Sequence, residues 1–150
     1  MRYPLAPMKH LAFSALFLVG CAATAYQAVD GNGFGYSERI QDDGNVAVAF
    51  VGNEYTGLPR ARRFAVCRAS EVVAGMGRPL FSVVTESTGM GAVGAVAQCH
   101  GSACVSENVT APAVTLLVRP IDQPGDTKGQ AYVAGKTSPC REDQAEADKP

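Results

Sequence analysis

Between Phe34 and Val51 side-chain character alternates residue by residue, and the alternation breaks once, at Asp42-Asp43-Gly44-Asn45. Period two is the repeat of a β-strand, whose successive side chains point to opposite faces. Asp-Gly tolerates the positive φ of a tight hairpin turn. The first limb sets Phe34, Tyr36, Glu38 and Ile40 against Gly35, Ser37 and Arg39, and the second places Val46, Val48 and Phe50 on one face. A β-hairpin is therefore predicted. Its apolar face demands a covering layer, which restricts the chain to architectures that put something on a sheet.

The next segment supplies a candidate cover. Gly52-Asn53 closes the second strand, Thr56 is placed to cap a helix, and Pro59 falls in the first turn, where a missing N–H is harmless. From about Leu58 to Ala74, Ala61, Phe64, Ala65, Arg68, Ala69 and Val72 recur at spacings of three and four, and Gly75, Gly77 and Pro79 mark the end. Small residues in that stripe predict close packing on a sheet.

Leu80 to Glu86, Pro112 to Arg119 and Gln130 to Ala134 read as three further strands. The glycine- and alanine-rich stretch from Ser87 to Thr110 reads as a long loop. The expected fold class is α+β: a small, mostly antiparallel sheet in β-β-α-β-β-β order with one helix packed on one face, spanning residues 34–135. Residues 136–150 read as a solvated polar tail.

Ahead of the domain, Leu11 to Val19 is an unbroken apolar run that follows Met8-Lys9-His10 and precedes Gly20-Cys21. It is far short of the roughly 20 residues that a spanning helix needs. A basic start, a short apolar core and small residues at its end describe a cleavable export signal over residues 1–20. Met8-Lys9 is a more typical signal start than Met1-Arg2, which two prolines follow. Leu18-Val19-Gly20-Cys21 has the form of a lipobox, in which the Cys21 thiol becomes a thioether to diacylglycerol and the signal is cut before it. Residues 21–33, small and turn-rich, then read as a lipidated flexible tether. Ala22 stands where Asp favours retention at the inner membrane, so the expected address is the outer membrane, facing the periplasm.

The precursor carries 13 basic and 14 acidic side chains; cleavage removes Arg2 and Lys9 and leaves a net charge of −3. Nucleic acid is therefore not an expected partner, because phosphate neutralisation requires a concentrated basic excess. A hydrophobic share of 47% argues against wholesale disorder.

Four cysteines remain beside Cys21: Cys67, Cys99, Cys104 and Cys140. An oxidising compartment favours disulfides. Cys99 with Cys104 closes the shortest loop, leaving Cys67 with Cys140, although Cys67 reads equally as a small buried hydrophobe in the helix. The segment Cys99-His100-x-x-x-Cys104 also supports a competing reading as a metal-binding or redox loop. Against it, adjacent Cys and His seldom converge on one ion, so neither a metal nor another cofactor is expected. Ser37 beside Glu38, and Ser70 beside Glu71, lack a poised base and a G-x-S-x-G turn, so no catalytic residue is assigned. Arg60, Arg62, Arg63 and Arg68 concentrate positive charge on one helix. They read as a solvated face or as a contact for anionic lipid or polysaccharide. Arg68 and Glu71, at i and i+3, form either a surface pair or a bridge from helix to hairpin.

The order of certain residues is more specific than their composition: Tyr26-Gln27, Gly35-Tyr36-Ser37-Glu38, Phe50-x-Gly52-Asn53-x-x-Thr56, Arg68-Ala69-x-Glu71, then Gly77 and Phe81. This series resembles a family of small proteobacterial lipoproteins with no assigned molecular function. A later match runs through Ala113 to Arg119, Gln123-Pro124-Gly125 and Tyr132-x-Ala134. The resemblance implies an envelope location, a membrane anchor and a shared fold, and it brings no catalytic residue with it. A non-enzymatic binding or assembly module that meets another envelope component is the expectation.

Overall fold

The structure is a computed structural model that describes residues 22–100, 103–135 and 140, with the backbone alone over 92–100 and 103–109. It is an α+β fold with one five-stranded antiparallel sheet. The elements are β1 (Gly35–Ile40), β2 (Val46–Val51), α1 (Leu58–Gly75), β3 (Leu80–His100), β4 (Ala103–Ile121) and β5 (Ala131–Val133), with a 3₁₀ turn at Pro124–Asp126 before β5. In space the strands lie in the order β1-β2-β4-β3-β5.

The hairpin forms as its alternation predicts. Ile40 pairs with Val46 and Gly35 with Val51. In the turn Gly44 has φ +79°, and the Asp43 carboxylate accepts from the backbone N–H of Asn45 at 2.9 Å. The next ladder sets Val46 opposite Val118, Val48 opposite Leu116 and Phe50 opposite Val114, and all six are buried. Ala61, Phe64, Ala65, Ala69 and Val73 of α1 belong to the same buried cluster, with Phe81 of β3. The Phe50 and Phe64 rings meet edge to face, 5.0 Å between centroids.

Thr56 is not the helix cap. Gly57 takes that position without a side-chain bond, because the Thr56 hydroxyl is already engaged: it donates to Asn53 Oδ1 at 2.8 Å and accepts from the Thr24 N–H at 2.9 Å. At the other end Gly77, with φ +75°, donates to Ala74 O while Arg78 N–H donates to Val73 O. Paired bonds of this kind close the last turn around a left-handed residue.

Two further expectations are corrected. The stretch from Ser87 to Thr110 is not a loop: β3 and β4 stay paired from Leu80↔Ile121 to His100↔Ala103, with register shifts at Val83/Thr85 and Ala92/Gly94. Mutual pairing satisfies the backbone and overrides the weak strand propensity of glycine and alanine. The second correction concerns the tether. Order begins well before Phe34: Thr24 is buried, Ala28 bridges to Tyr36 in parallel, and the Tyr26 ring lies 5.4 Å from that of Phe64.

Candidate functional site

Side chains from three segments converge on Arg68. Its Nη2 donates to Glu38 Oε1 at 2.7 Å and its Nε to Glu38 Oε2 at 3.2 Å, a fork across to β1. Nη1 donates to Glu71 Oε2 at 2.9 Å, and that oxygen also accepts from the Tyr26 hydroxyl at 2.7 Å. The guanidinium carbon lies 4.5 Å from the centroid of the Tyr36 ring. Hydrogen bonds to the Glu38 carboxylate, then to Glu71, hold the Arg68 guanidinium protonated more firmly than usual. Burial, then Glu71, pushes the Tyr26 hydroxyl above its ordinary value, so it remains a donor. Both readings of Arg68 and Glu71 are realised: the i,i+3 pair forms, and Arg68 also bridges from the helix to the hairpin.

With its donors committed to two carboxylates, Arg68 is a clamp joining the N-terminal stretch, β1 and α1, and it is poorly placed to take an anionic ligand. The clamp is partly exposed, so solvent screens it, while its fork geometry strengthens it. A double-mutant cycle of Arg68→Ala with Glu38→Ala, read by urea unfolding, is expected to give a coupling of about 1 kcal/mol. Additive losses would remove the clamp's role.

A second polar cluster fixes the chain entry. Asn53 N–H donates to Thr24 Oγ1 at 2.8 Å, and Asn53 Nδ2 donates to the Ala22 carbonyl at 2.7 Å. Gly52 permits this corner, since a Cβ there would stand 2.3 Å from Thr56 Cβ.

The four arginines do not form one positive surface. Besides Arg68, Arg62 makes a two-point ion pair with Glu86 of β3 at 2.8 and 3.0 Å. Arg60 lies over the Phe64 ring at 5.4 Å, and Arg63 is exposed on the second turn of α1. Arg62 and Arg63 also edge an apolar cleft of about 400 Å³ floored by Val66, Cys67, Phe81 and Tyr132.

Cys67, on the buried side of α1, is joined to Cys140 in a disulfide. Cys99 and Cys104 stand directly opposite one another in the β3–β4 ladder, and His100 pairs with Ala103. Directly opposed antiparallel residues have Cα atoms about 4.5 to 5.5 Å apart, inside the range a disulfide spans. Among the described residues no three His, Cys, Asp or Glu side chains gather as metal ligands.

Among the described residues neither serine is given a base. Ser70 is buried and its Oγ donates to Val133 O at 3.3 Å. Ser37 is level in the sheet with Ser87, and His100 lies thirteen residues further along β3, about 40 Å along an extended strand. Cys21 and the signal segment lie outside the described residues, as does most of the polar tail. Among the described residues no helix is long and apolar enough to cross a membrane.

Sequence reasoning found Arg68 and Glu71 by their spacing and missed Tyr26, Thr24 and Glu86 as partners. Tyr26 offered a signal in retrospect: an aromatic inside an otherwise small, polar stretch has little use in a tether. No family model, curated protein or solved structure matches the chain. Its class therefore rests on architecture: an α+β sheet protein with a long two-stranded extension and a polar clamp. The residues that carry the lipoprotein resemblance have structural duties here. Tyr26, Tyr36, Glu38, Arg68 and Glu71 form the clamp; Asn53 and Thr56 build the entry corner; Gly77 ends α1; Phe81 is core.

Proposed function

We propose that this chain is a lipid-anchored protein of the cell envelope, held in the outer membrane on the periplasmic side, with a non-enzymatic binding or assembly role. The observation that carries the reading is Leu18-Val19-Gly20-Cys21, set directly before a chain entry that packs on the body from Ala22 onward. Cleavage before Cys21 would leave the lipidated residue at the edge of a folded domain.

In this reading the helix lies on one face of a sheet built in β-β-α-β-β-β order, and the other face and the β3–β4 extension are available to another envelope component. The extension has the character of a recognition element: two long strands whose outer edges beyond β2 and β5 carry backbone donors and acceptors able to accept an added strand. A Cys99–Cys104 bridge would staple its tip, which is why these cysteines are read as structural and not as a metal or redox pair. No cofactor and no nucleic acid enter the proposal.

The anchor is tested in the native host. Cys21→Ala is expected to abolish labelling by palmitate and to yield an uncleaved or soluble product. A mature, membrane-bound form unchanged by the substitution would overturn the reading.

A further inference from the structure

One side of β3 is unpaired for most of its length. β5 covers Leu80, Phe81 and Ser82, and along the remaining 18 of its 21 residues, Val83 to His100, no strand among the described residues lies beside it on that side. β4 fills the other side to the tip. Beyond the level where β2 ends, at Val51↔Ala113, these two strands stand alone. A two-stranded ribbon in water is marginally stable at best, whereas three or more strands hold. Gly89, Gly91 and Gly94 weaken this ribbon further. It needs additional pairing to stand away from the body.

The other edges of the sheet are guarded, and this one is not. Residues 27–29 lie along β1, with hydrogen bonds from Tyr36 N–H to Gln27 O and from Val29 N–H to Tyr36 O, and β5 is only three residues long. Covered and very short edges resist added strands, as do edges that carry lysine or proline. From Val83 to His100 there is neither lysine nor proline, and the one charged residue, Glu86, is taken by Arg62. The register shifts at Val83/Thr85 and Ala92/Gly94 bend the strand but leave an unbroken run between them. Two exposed large hydrophobic side chains stand on the same strand, Val84 at 45% and Met90 at 62% exposure.

Register and charge select a second copy as the occupant of this edge. An antiparallel copy of β3 can slide along it until its tip meets β5, which sets His100 of one copy level with Val83 of the other and pairs the whole edge. That is about 60 Å of strand and about 18 backbone hydrogen bonds, against about 10 in an ordinary interface. In this register Glu86 stands opposite Ala97, so no charge stands opposite its like. β4 gives the contrary result. Its outer edge is free only from Ala103 to Ala111, since Pro112 O accepts from Gly52 N–H where β2 ends. The fullest antiparallel overlap of that edge with itself sets Glu107 opposite Glu107, and like charges directly opposite destabilise. The β4 edge is therefore left for a strand of another chain.

Resting on the reading of the β3–β4 extension as an element that accepts an added strand, we propose that the outer edge of β3, Val83 to His100, pairs antiparallel with the same edge of a second copy of this chain. Such a contact uses the same patch on both copies and closes as a two-fold dimer. It turns two marginal ribbons into one four-stranded sheet between two bodies. Both β4 edges stay open to another envelope component.

The test uses two differently tagged full-length copies produced together in the native host. The tagged copies are expected to co-purify, and a photo-crosslinking residue at Ser87 is expected to give an adduct of two copies at least fivefold more often than the same residue at Asp42. Thr88→Lys with Ala95→Lys in both copies sets like charges opposite one another in the limiting register, and so does Thr88→Glu with Ala95→Glu. Each pair of substitutions is expected to cut co-purification at least fivefold. A Lys copy with a Glu copy is expected to restore it, which misfolded chains would not do. Co-purification that the Lys copies leave unchanged, or a loss that the mixed pair does not restore, overturns the self-pairing. Adducts at Ser87 to a different protein alone overturn it too and leave the extension standing as a strand acceptor. Adducts to no protein overturn both.

Discussion

Cys67→Ala is expected to lower the stability of the oxidised protein by about 4 kcal/mol, which is the chain-entropy value for a closed loop of this length. Cys67 and Cys140 are separated by 73 positions, and both are buried, at 6% and 1% exposure. The bond therefore ties Cys140 to the middle of α1, at the cleft whose floor Cys67 shares with Val66, Phe81 and Tyr132. Alanine is chosen over serine because a hydroxyl in a buried site adds an unrelated desolvation penalty. Denaturant unfolding with and without reductant checks the claim. Reduced wild type should unfold close to the reduced variant, and reductant should cost the variant about 4 kcal/mol less than it costs wild type. An oxidised wild type no more stable than its reduced form would show that the bond contributes nothing.

The bond also illustrates what a sequence can yield. Counting cysteines narrowed the pairings to a few but left Cys67 open between a bridge and a buried hydrophobe, because helix burial suits both. The β1–β2 hairpin and α1 were legible almost to the residue, since Asp43-Gly44, the valine alternation and the Ala61-Phe64-Ala65 spacing are local signals that agree with one another. The β3–β4 extension was not legible. Gly89, Gly91 and Gly94 depress strand propensity, and the strand is recovered only because each limb has the other to pair with. Gly101-Ser102, a dipeptide suited to two-residue hairpin loops, was the available hint.

At the clamp the division is similar. The Arg68 to Glu71 spacing is written in the helix, whereas the fork to Glu38 depends on which strand residue lies beside the helix, a tertiary fact. Likewise the small residues around Thr24 and Tyr26 have the composition of a linker, and only contacts across about 30 to 45 positions reveal them as part of the body.

Gly35→Ala is expected to be as damaging as loss of the disulfide, by about 4 kcal/mol, and it acts at the junction where the entering chain meets the sheet. Gly35 has φ +123°, and a Cβ there would lie 2.6 Å from the Gln27 carbonyl oxygen and 2.7 Å from that of Ala28. The backbone strain alone accounts for about 1 to 3 kcal/mol. Relief of the clash requires residues 27 and 28 to move away, which breaks the bonds from Tyr36 N–H to Gln27 O and from Val29 N–H to Tyr36 O, each about 1 kcal/mol. Moving that strand also draws Tyr26 away from Glu71 and from the Tyr36 ring, 5.0 Å distant. Gly44→Ala provides the control, because Gly44 shares a positive φ of +79° but has nothing within 4 Å of the added carbon. It should lose only the strain component, about 1 kcal/mol. Comparable losses for the two variants in urea unfolding would mean that residues 22–33 add nothing to the fold.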